Sequence, residues 1–450
     1  MIGIVVNPVA GVGGPAGLAG SDGADVQRLA LARGARSRVQ ERATLALTIL
    51  AERHPGLVVA TAPGLMGADA VRAAGLVPRV VEDRRGVFGG GGSGDHAETG
   101  RFGAQSPDLA GLPDPARGKS EHEATEAADT SRAVAALAAA GVPLILVVGG
   151  DGTLRDAVTG LGAAASVAMP DGTSGAGPSA AEGSSLWRVG MPEEPVRGAG
   201  PQIPAVLGVP AGVKMYSPVF AVSPRVAGAV AADWVDHGGL PTEEREVLDI
   251  DEAAMRRARV DPALYGMLRV PYRSGRTQAR KAATPATEAA AVEAAARGAV
   301  SRMRPGVRYL LGPGGTTAEI ARQLGVEGSP LGVDVVLDRA VVVRGASEQE
   351  LLAEISLGPA QAVITVIGGQ GFLLGRGNQQ LSASVLRALG DDPLLIVAPE
   401  QKLIDLHGRP LLVDTGDADL DARLSGHVRV VTGVGTRSIY AVSAPELTPV

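Results

Sequence analysis

Short apolar runs, each closed by glycine, proline or charge, recur along the chain and set its reading frame. Residues 2–6, IGIVV, stop at Asn7-Pro8 and a glycine-rich loop, GVGGPAGLAGSDG. A run of this length bounded by turn residues predicts a strand buried on both faces. Residues 25–53 space their apolar positions three and four apart with charges between them, which predicts a helix. VVATAPG (58–64) predicts a strand and loop, GADAVRAAG (67–75) a short helix, and VPRVVE (77–82) closes the first unit. TSRAVAALAAAGVP (130–143) predicts a helix leading into the strand LILVV, and PAVLGVPAGVKMYSPVF (204–220) a strand, glycine loop and helix. Alternating strands and helices predict a doubly wound α/β domain over residues 1–232. Residues 233–300 are mixed, with one strand candidate at YGMLRVPY (265–272). From residue 307 strands come in series: VRYLLG, LGVDVVLD, AVVVRG, AVITVIG, LLIVAP, PLLVDT, HVRVVTG and RSIYAVS. Helices intervene at TAEIARQLG and SEQELLAEI. Residues 233–450 are therefore expected to form a second, C-terminal domain, α+β or β-rich, for substrate binding or oligomerisation.

Two stretches break the pattern. Residues 86–128 and about 164–202 are polar, rich in Gly and Pro, and poor in residues to bury, so they read as flexible insertions. Trp187 is the one residue of the second that could anchor it.

Composition narrows the chemistry. With 450 residues the chain can build two or three cores. A formal net charge of −6 offers no global field for nucleic acid or anionic membrane, so an anionic ligand must be held locally. The absence of cysteine excludes disulfides, thiolate metal sites and thiol nucleophiles, and fits a cytoplasmic setting. The opening MIGIVVNPVAG reads as a first strand rather than a signal peptide. No apolar run reaches the ~18 residues of a membrane span. Aromatic residues are 2% of the chain, too few for base-stacking platforms.

The most informative stretch is LILVVGGDGTLRD (144–156), where a strand runs into Gly-Gly-Asp-Gly-Thr and a helix opener. In α/β sheets, ligands bind beyond the carboxyl ends of the strands, where helix N-termini present free amides. Gly149, Gly150 and Gly152 allow close backbone approach, and Thr153 can cap the helix or touch a phosphate oxygen. Asp151 could be a turn former, a ribose clamp, a metal ligand or a general base. Asn7, Gly11 and Gly13 follow the first strand and would floor the same site. PAGVK (210–214) offers Gly212 for close approach and Lys214 for charge, although a solvated lysine fits equally. GPGGTT (312–317) places Gly312, Gly314 and Thr316 between strand and helix, as a phosphate contact or a plain helix cap. GGQGFLLGRGNQQ (368–380), around Arg376, reads as a ligand-facing or interface loop. There is no Walker loop, H-E-x-x-H or G-x-S-x-G. The six histidines lack metal spacing, EEREVLDIDE (243–252) reads as solvated surface, and DTGD (414–417) as an Asp-Gly turn rather than a metal site.

GGDGT is the signature of the NAD kinase and diacylglycerol kinase superfamily, and the opening strand with NPVAG resembles its first strand and loop. The wider set resembles the longer ATP-NAD kinase-like family, in its AcoX-type branch linked to acetoin catabolism. That set comprises IVVNPVAGVGGPAGLAGSDG, VVGGDGTLRD, GVPAGVKMYSPVFA, LYGMLRVP, LLGPGGTTAEIA, LGVDVV, VIGGQGFLLGRGNQQLS and VDTGD. One departure is Ala19, where the branch often carries lysine. The resemblance implies a cytoplasmic kinase that uses ATP and Mg²⁺ and phosphorylates the 2′-hydroxyl of NAD⁺ to give NADP⁺. It gives Asp151 the roles of ribose contact and general base, facing an open, amide-lined cleft, and it implies a homo-oligomer. Polyphosphate as donor, another small hydroxyl acceptor, or a non-catalytic nucleotide-binding regulator stay open. A lipid kinase finds no amphipathic basic face to hold a membrane.

Overall fold

The computed structural model describes residues 1–18, 21, 24–81, 127–167, 203–249, 263–272, 277 and 289–447. Ala19, Trp187 and nearly all of both expected insertions lie outside them.

Five parallel strands form the first sheet: β1 (Ile2–Val6), β2 (Val58–Thr61), β3 (Val77–Val80), β4 (Leu144–Gly149) and β5 (Ala205–Pro210). Their order is β3-β2-β1-β4-β5, the doubly wound arrangement that the sequence predicts. Every residue of β1, β4 and β5 is buried, which is why these strands are written almost wholly in apolar residues and glycine. The helices of this lobe are α1 (Ala24–Ala32), α2 (Val39–Arg53), α3 (Ala68–Ala73), α4 (Ala127–Ala139), α5 (Asp151–Val167) and α6 (Pro224–Asp236).

Two local expectations need correction. The single helix over 25–53 is two, because the chain turns at Gly34 with a positive φ of 76° and re-enters helix at Val39. The helix expected directly after PAGVK is instead extended loop. Pro218 interrupts that stretch, and α6 starts only where Ser223 accepts from the Val226 amide with Pro224 in the first turn.

The first core also continues beyond residue 232. The ribbon β6 (Thr242–Asp249) and β7 (Ala263–Pro271) buries Val247, Leu268 and Val270 in it. The second lobe is built on eight strands: β8 (Arg308–Leu311), β9 (Asp334–Leu337), β10 (Ala340–Val343), β11 (Ala360–Thr365), β12 (Leu394–Val397), β13 (Leu411–Leu412), β14 (Gly426–Val431) and β15 (Arg437–Ser443). Their order is β10-β9-β8-β11-β12-β14-β15-β13, parallel through β8, β11, β12 and β14 and antiparallel at β9, β10 and β15. The lobe is thus α/β with a mixed sheet. Successive side chains of β8 enter different cores: Leu310 lies in one, Tyr309 and Leu311 in the other. Among the described residues no helix is long and apolar enough to cross a membrane.

The lobes meet where the carboxyl ends of β1, β4, β5 and β11 converge. Gln370 and Gln379, from the loop after β11, donate to the Met215 carbonyl (3.0 Å) and the Gly212 carbonyl (3.1 Å).

Candidate functional site

The ends of β1 and β4 are fastened first. The Asn7 amide donates to the Val148 carbonyl (3.1 Å), and Asn7 Nδ2 to Thr153 Oγ1 (3.2 Å). The Asp151 amide, at the start of α5, donates to the Lys214 carbonyl (3.0 Å). This draws the third glycine loop across the second, and the fit leaves room for hydrogen alone. A Cβ on Gly150 would stand 2.9 Å from the Lys214 carbonyl oxygen and 3.1 Å from Gly212 Cα. One on Gly212 would drive into the Gly150 backbone, and one on Gly11 into the Ala211 carbonyl. The structure therefore gathers Asn7, Gly11, Gly149, Gly150, Asp151, Thr153, Gly212 and Lys214 at one sheet edge. Gly13 joins them through its loop, its amide donating to Ser21 Oγ at 3.1 Å.

Asp151 is not open to solvent. The residue is 1% exposed and both carboxylate oxygens are engaged. Oδ2 accepts from the Tyr216 amide (2.6 Å), and Oδ1 from the Ser217 amide (3.0 Å) and Ser217 Oγ (2.6 Å). The expectation of a carboxylate facing an open cleft is corrected accordingly: the Tyr216–Ser217 segment packs over it and takes up both of its oxygens. The Ser217 hydroxyl in turn accepts from the Leu248 amide (3.0 Å) and lies 3.1 Å from the Leu248 carbonyl. Its single proton goes to the charged and closer acceptor, Asp151. Burial raises the Asp151 carboxyl to about 6, against the lowering pull of the three hydrogen bonds, and the nearby charge of Asp249 adds to the rise. Asp249 belongs to the acidic run expected at the surface. It is 8% exposed and pairs with Arg155 at 3.1 Å.

GPGGTT is held within the second lobe. Thr317 Oγ1 donates to the Gly314 carbonyl (2.8 Å) and Lys402 Nζ to Thr316 Oγ1 (3.3 Å). The 368–380 loop bridges the two lobes. Arg376 Nη2 donates to the Val222 carbonyl (3.0 Å) in the first lobe, Nη1 pairs with Asp414 (2.8 Å), and the guanidinium lies 4.0 Å from the Phe372 ring centroid. Arg42 of α2 completes the cluster, donating bidentately to Asp414 (2.9 and 2.7 Å) and to the Pro210 carbonyl (3.0 Å). The two guanidinium groups hold the Asp414 carboxyl well below the usual carboxylate range in spite of its burial. DTGD thus supplies a buried ion pair and, at Asp417, the cap of the helix Ala418–Leu424.

Tyr216, Ser217, Gln370 and Gln379 lie inside motif segments without standing out there, and Arg42 lies outside every motif. The amides at 216 and 217 carry no side-chain signature, and Arg42 and Asp414 are far apart in the chain. Among the described residues no group of three or more His, Asp or Glu could hold a metal ion.

Two family profiles match this framework. The ATP-NAD kinase N-terminal domain matches residues 95–169, which contain the loop of Asp151. The ATP-NAD kinase C-terminal domain matches residues 304–442, which contain β8 to β14. The chain finds no match among curated proteins or solved structures. A parallel first sheet whose fourth strand runs into GGDGT, followed by a mixed second sheet in the matched order, agrees with these matches: over the two segments the chain is similar to the N-terminal and C-terminal domains of ATP-NAD kinases.

Proposed function

We propose that the protein is an ATP-dependent kinase that phosphorylates the 2′-hydroxyl of NAD⁺, with Asp151 as the proton acceptor. The observation that carries this reading is the Asp151 carboxyl itself. It stands at the N-terminus of α5 among three converging glycine loops, with a pKa near 6. That value leaves it mostly ionised at neutral pH yet basic enough to take a proton late in transfer. In the reaction the ribose oxygen forms a bond to the γ-phosphorus, the bond from that phosphorus to the β–γ bridging oxygen breaks, and ADP leaves. The hydroxyl proton passes to Asp151 and then to solvent.

Phosphoryl transfer rests on alignment and charge neutralisation more than on covalent chemistry by the protein. Gly149, Gly150 and Gly212 let the second and third loops pack backbone to backbone, which gathers loop amides at the strand ends and the N-terminus of α5, the setting that suits a polyphosphate. Magnesium would enter with the triphosphate, neutralising its β- and γ-oxygens, since the described residues gather no carboxylate cage. To meet Asp151 the ribose hydroxyl must take the place of one of its three present donors. The Tyr216–Ser217 segment therefore has to shift on binding.

Two outcomes separate the competing readings. NADP⁺ formation from ATP and NAD⁺, followed with an NADP-specific dehydrogenase and matched one-to-one by ADP release, supports the proposal. ADP release only with another hydroxyl compound would move the acceptor to a different small molecule, as the AcoX-type resemblance allows. The closed carboxylate favours one further reading, a nucleotide-binding regulator, and NAD⁺ binding with no turnover of ATP or polyphosphate would establish it.

A further inference from the structure

The seam between the lobes holds a cavity of about 560 Å³, a volume in the range of small-molecule sites. It is lined from the first lobe by α2 with Arg38 before it and by the N-terminus of α6, and from the second by Asp414, Gly416, Ala418 and Glu446. Six of its lining side chains are charged, and four of them are already engaged. Arg42 holds Asp414, and Arg38 pairs with Glu41 (3.2 Å) and donates to the Thr415 and Gly416 carbonyls. Arg225 and Glu446 remain. Neither makes an ion pair among the described residues, and Arg225 Nε is buried without a partner.

Glu446 is 9% exposed, and neither of its carboxylate oxygens meets a hydrogen-bond partner in good geometry. The Ser223 hydroxyl and the Arg225 amide lie close enough to ease its ionisation, while burial dominates and raises its pKa to about 6. Glu446 is buried with only the neighbouring Arg42 and Arg376 charges to offset its lost water, and Arg225 is half-buried with its Nε unpartnered, so hydrogen-bonding capacity and charge are left unused on both sides of one cavity. A ligand bearing both charges would engage both sides. The rest of the lining supplies apolar surface at Leu45, Pro224 and Ala418.

We propose that this cavity binds a free α-amino acid with an aliphatic side chain, its ammonium on Glu446, its carboxylate on Arg225 and its side chain against Leu45 and Pro224. The site is separate from the glycine loops and stands whether or not the kinase reading does. It is also placed to influence them. Arg225 opens the helix that follows the Tyr216–Ser217 segment, and Arg42 reaches the carbonyl of Pro210, directly before the third glycine loop.

The experiment is calorimetric titration of the full chain with L-leucine, L-valine and L-isoleucine. Isovalerate, which lacks the ammonium, and isoamylamine, which lacks the carboxylate, serve as controls. At least one amino acid should bind, with both controls at least tenfold weaker. Glu446→Gln should lower amino-acid affinity at least tenfold and leave isovalerate binding unchanged. Arg225→Gln should weaken isovalerate as well. Leu45→Trp, which fills the cavity without touching either charge, should abolish binding in a chain that melts normally, so the test survives if Glu446→Gln fails to fold. Three results would each overturn the proposal: no amino acid binding at millimolar concentration, isovalerate binding as tightly as leucine, or affinity indifferent to Leu45→Trp.

Discussion

Replacing Ser217 with alanine probes the proposed base without touching it. The hydroxyl donates to Asp151 Oδ1 at 2.6 Å and accepts from the buried Leu248 amide at 3.0 Å. Hydrogen bonds to a charged group are worth about 1.5–3 kcal/mol, and a pKa change of one corresponds to ~1.4 kcal/mol. Losing the bond to the ionised carboxylate should move Asp151 from about 6 to roughly 7–8. Because kcat/KM reports the free enzyme, its acid limb for NADP⁺ formation should move up with it. Wild-type kcat/KM should rise with pH to a plateau entered near pH 6. The variant at pH 6.5 should fall roughly tenfold below wild type and recover most of the loss by pH 9. A second effect is independent of pH: the orphaned Leu248 amide costs about 1–3 kcal/mol of stability, readable in a urea titration. A loss of activity equal at all pH values would refute the reasoning, since it would mean that Ser217 supports the fold and not the ionisation of Asp151.

Three further outcomes follow from the geometry. Gly212→Ala must force the second and third glycine loops apart, because its methyl would overlap the Gly150 backbone. Equilibrium dialysis should show nucleotide affinity at least tenfold lower, and unchanged affinity would remove these loops from the site. Asp414→Asn leaves Arg42 and Arg376 buried against each other without their counter-charge, so unfolding free energy should drop by about 3–5 kcal/mol; a loss under 1 kcal/mol would show that the cluster does not hold the lobes together. Asp151 and Glu446 both titrate higher in the folded chain, about 6, than the ordinary 3.8 and 4.5. The folded state therefore binds more protons in that window, and stability should fall as pH rises from about 4.5 to 7, by on the order of 2 kcal/mol for each group. Denaturation midpoints that rise over this window would contradict the assignment.

The frame of the molecule was legible because the central strands of both sheets are largely buried. Strands such as LILVV and AVITVIG must then be continuous apolar runs, and they stand out against glycine and charge. The break in the long helix was missed because α1 and α2 share one apolar spacing, and only Gly34 marks the turn. The site was half legible. Glycine loops reveal themselves through residues that close packing demands, and Asp151 through its place between them. What covers Asp151 is invisible in sequence, because two of its three donors are backbone amides that any residue could supply. The buried cluster at the seam joins residues 42, 376 and 414, and no local pattern links positions so far apart.

The account turns on what Asp151 touches when the site is filled. A crystal structure of the chain with NAD⁺ and a non-hydrolysable ATP analogue reads this directly. The account predicts a ribose hydroxyl within about 3 Å of an Asp151 oxygen, with the Tyr216–Ser217 segment displaced and the phosphates on the amides of the glycine loops. Nucleotide bound elsewhere, with Tyr216 and Ser217 still closed over the carboxylate, would contradict it.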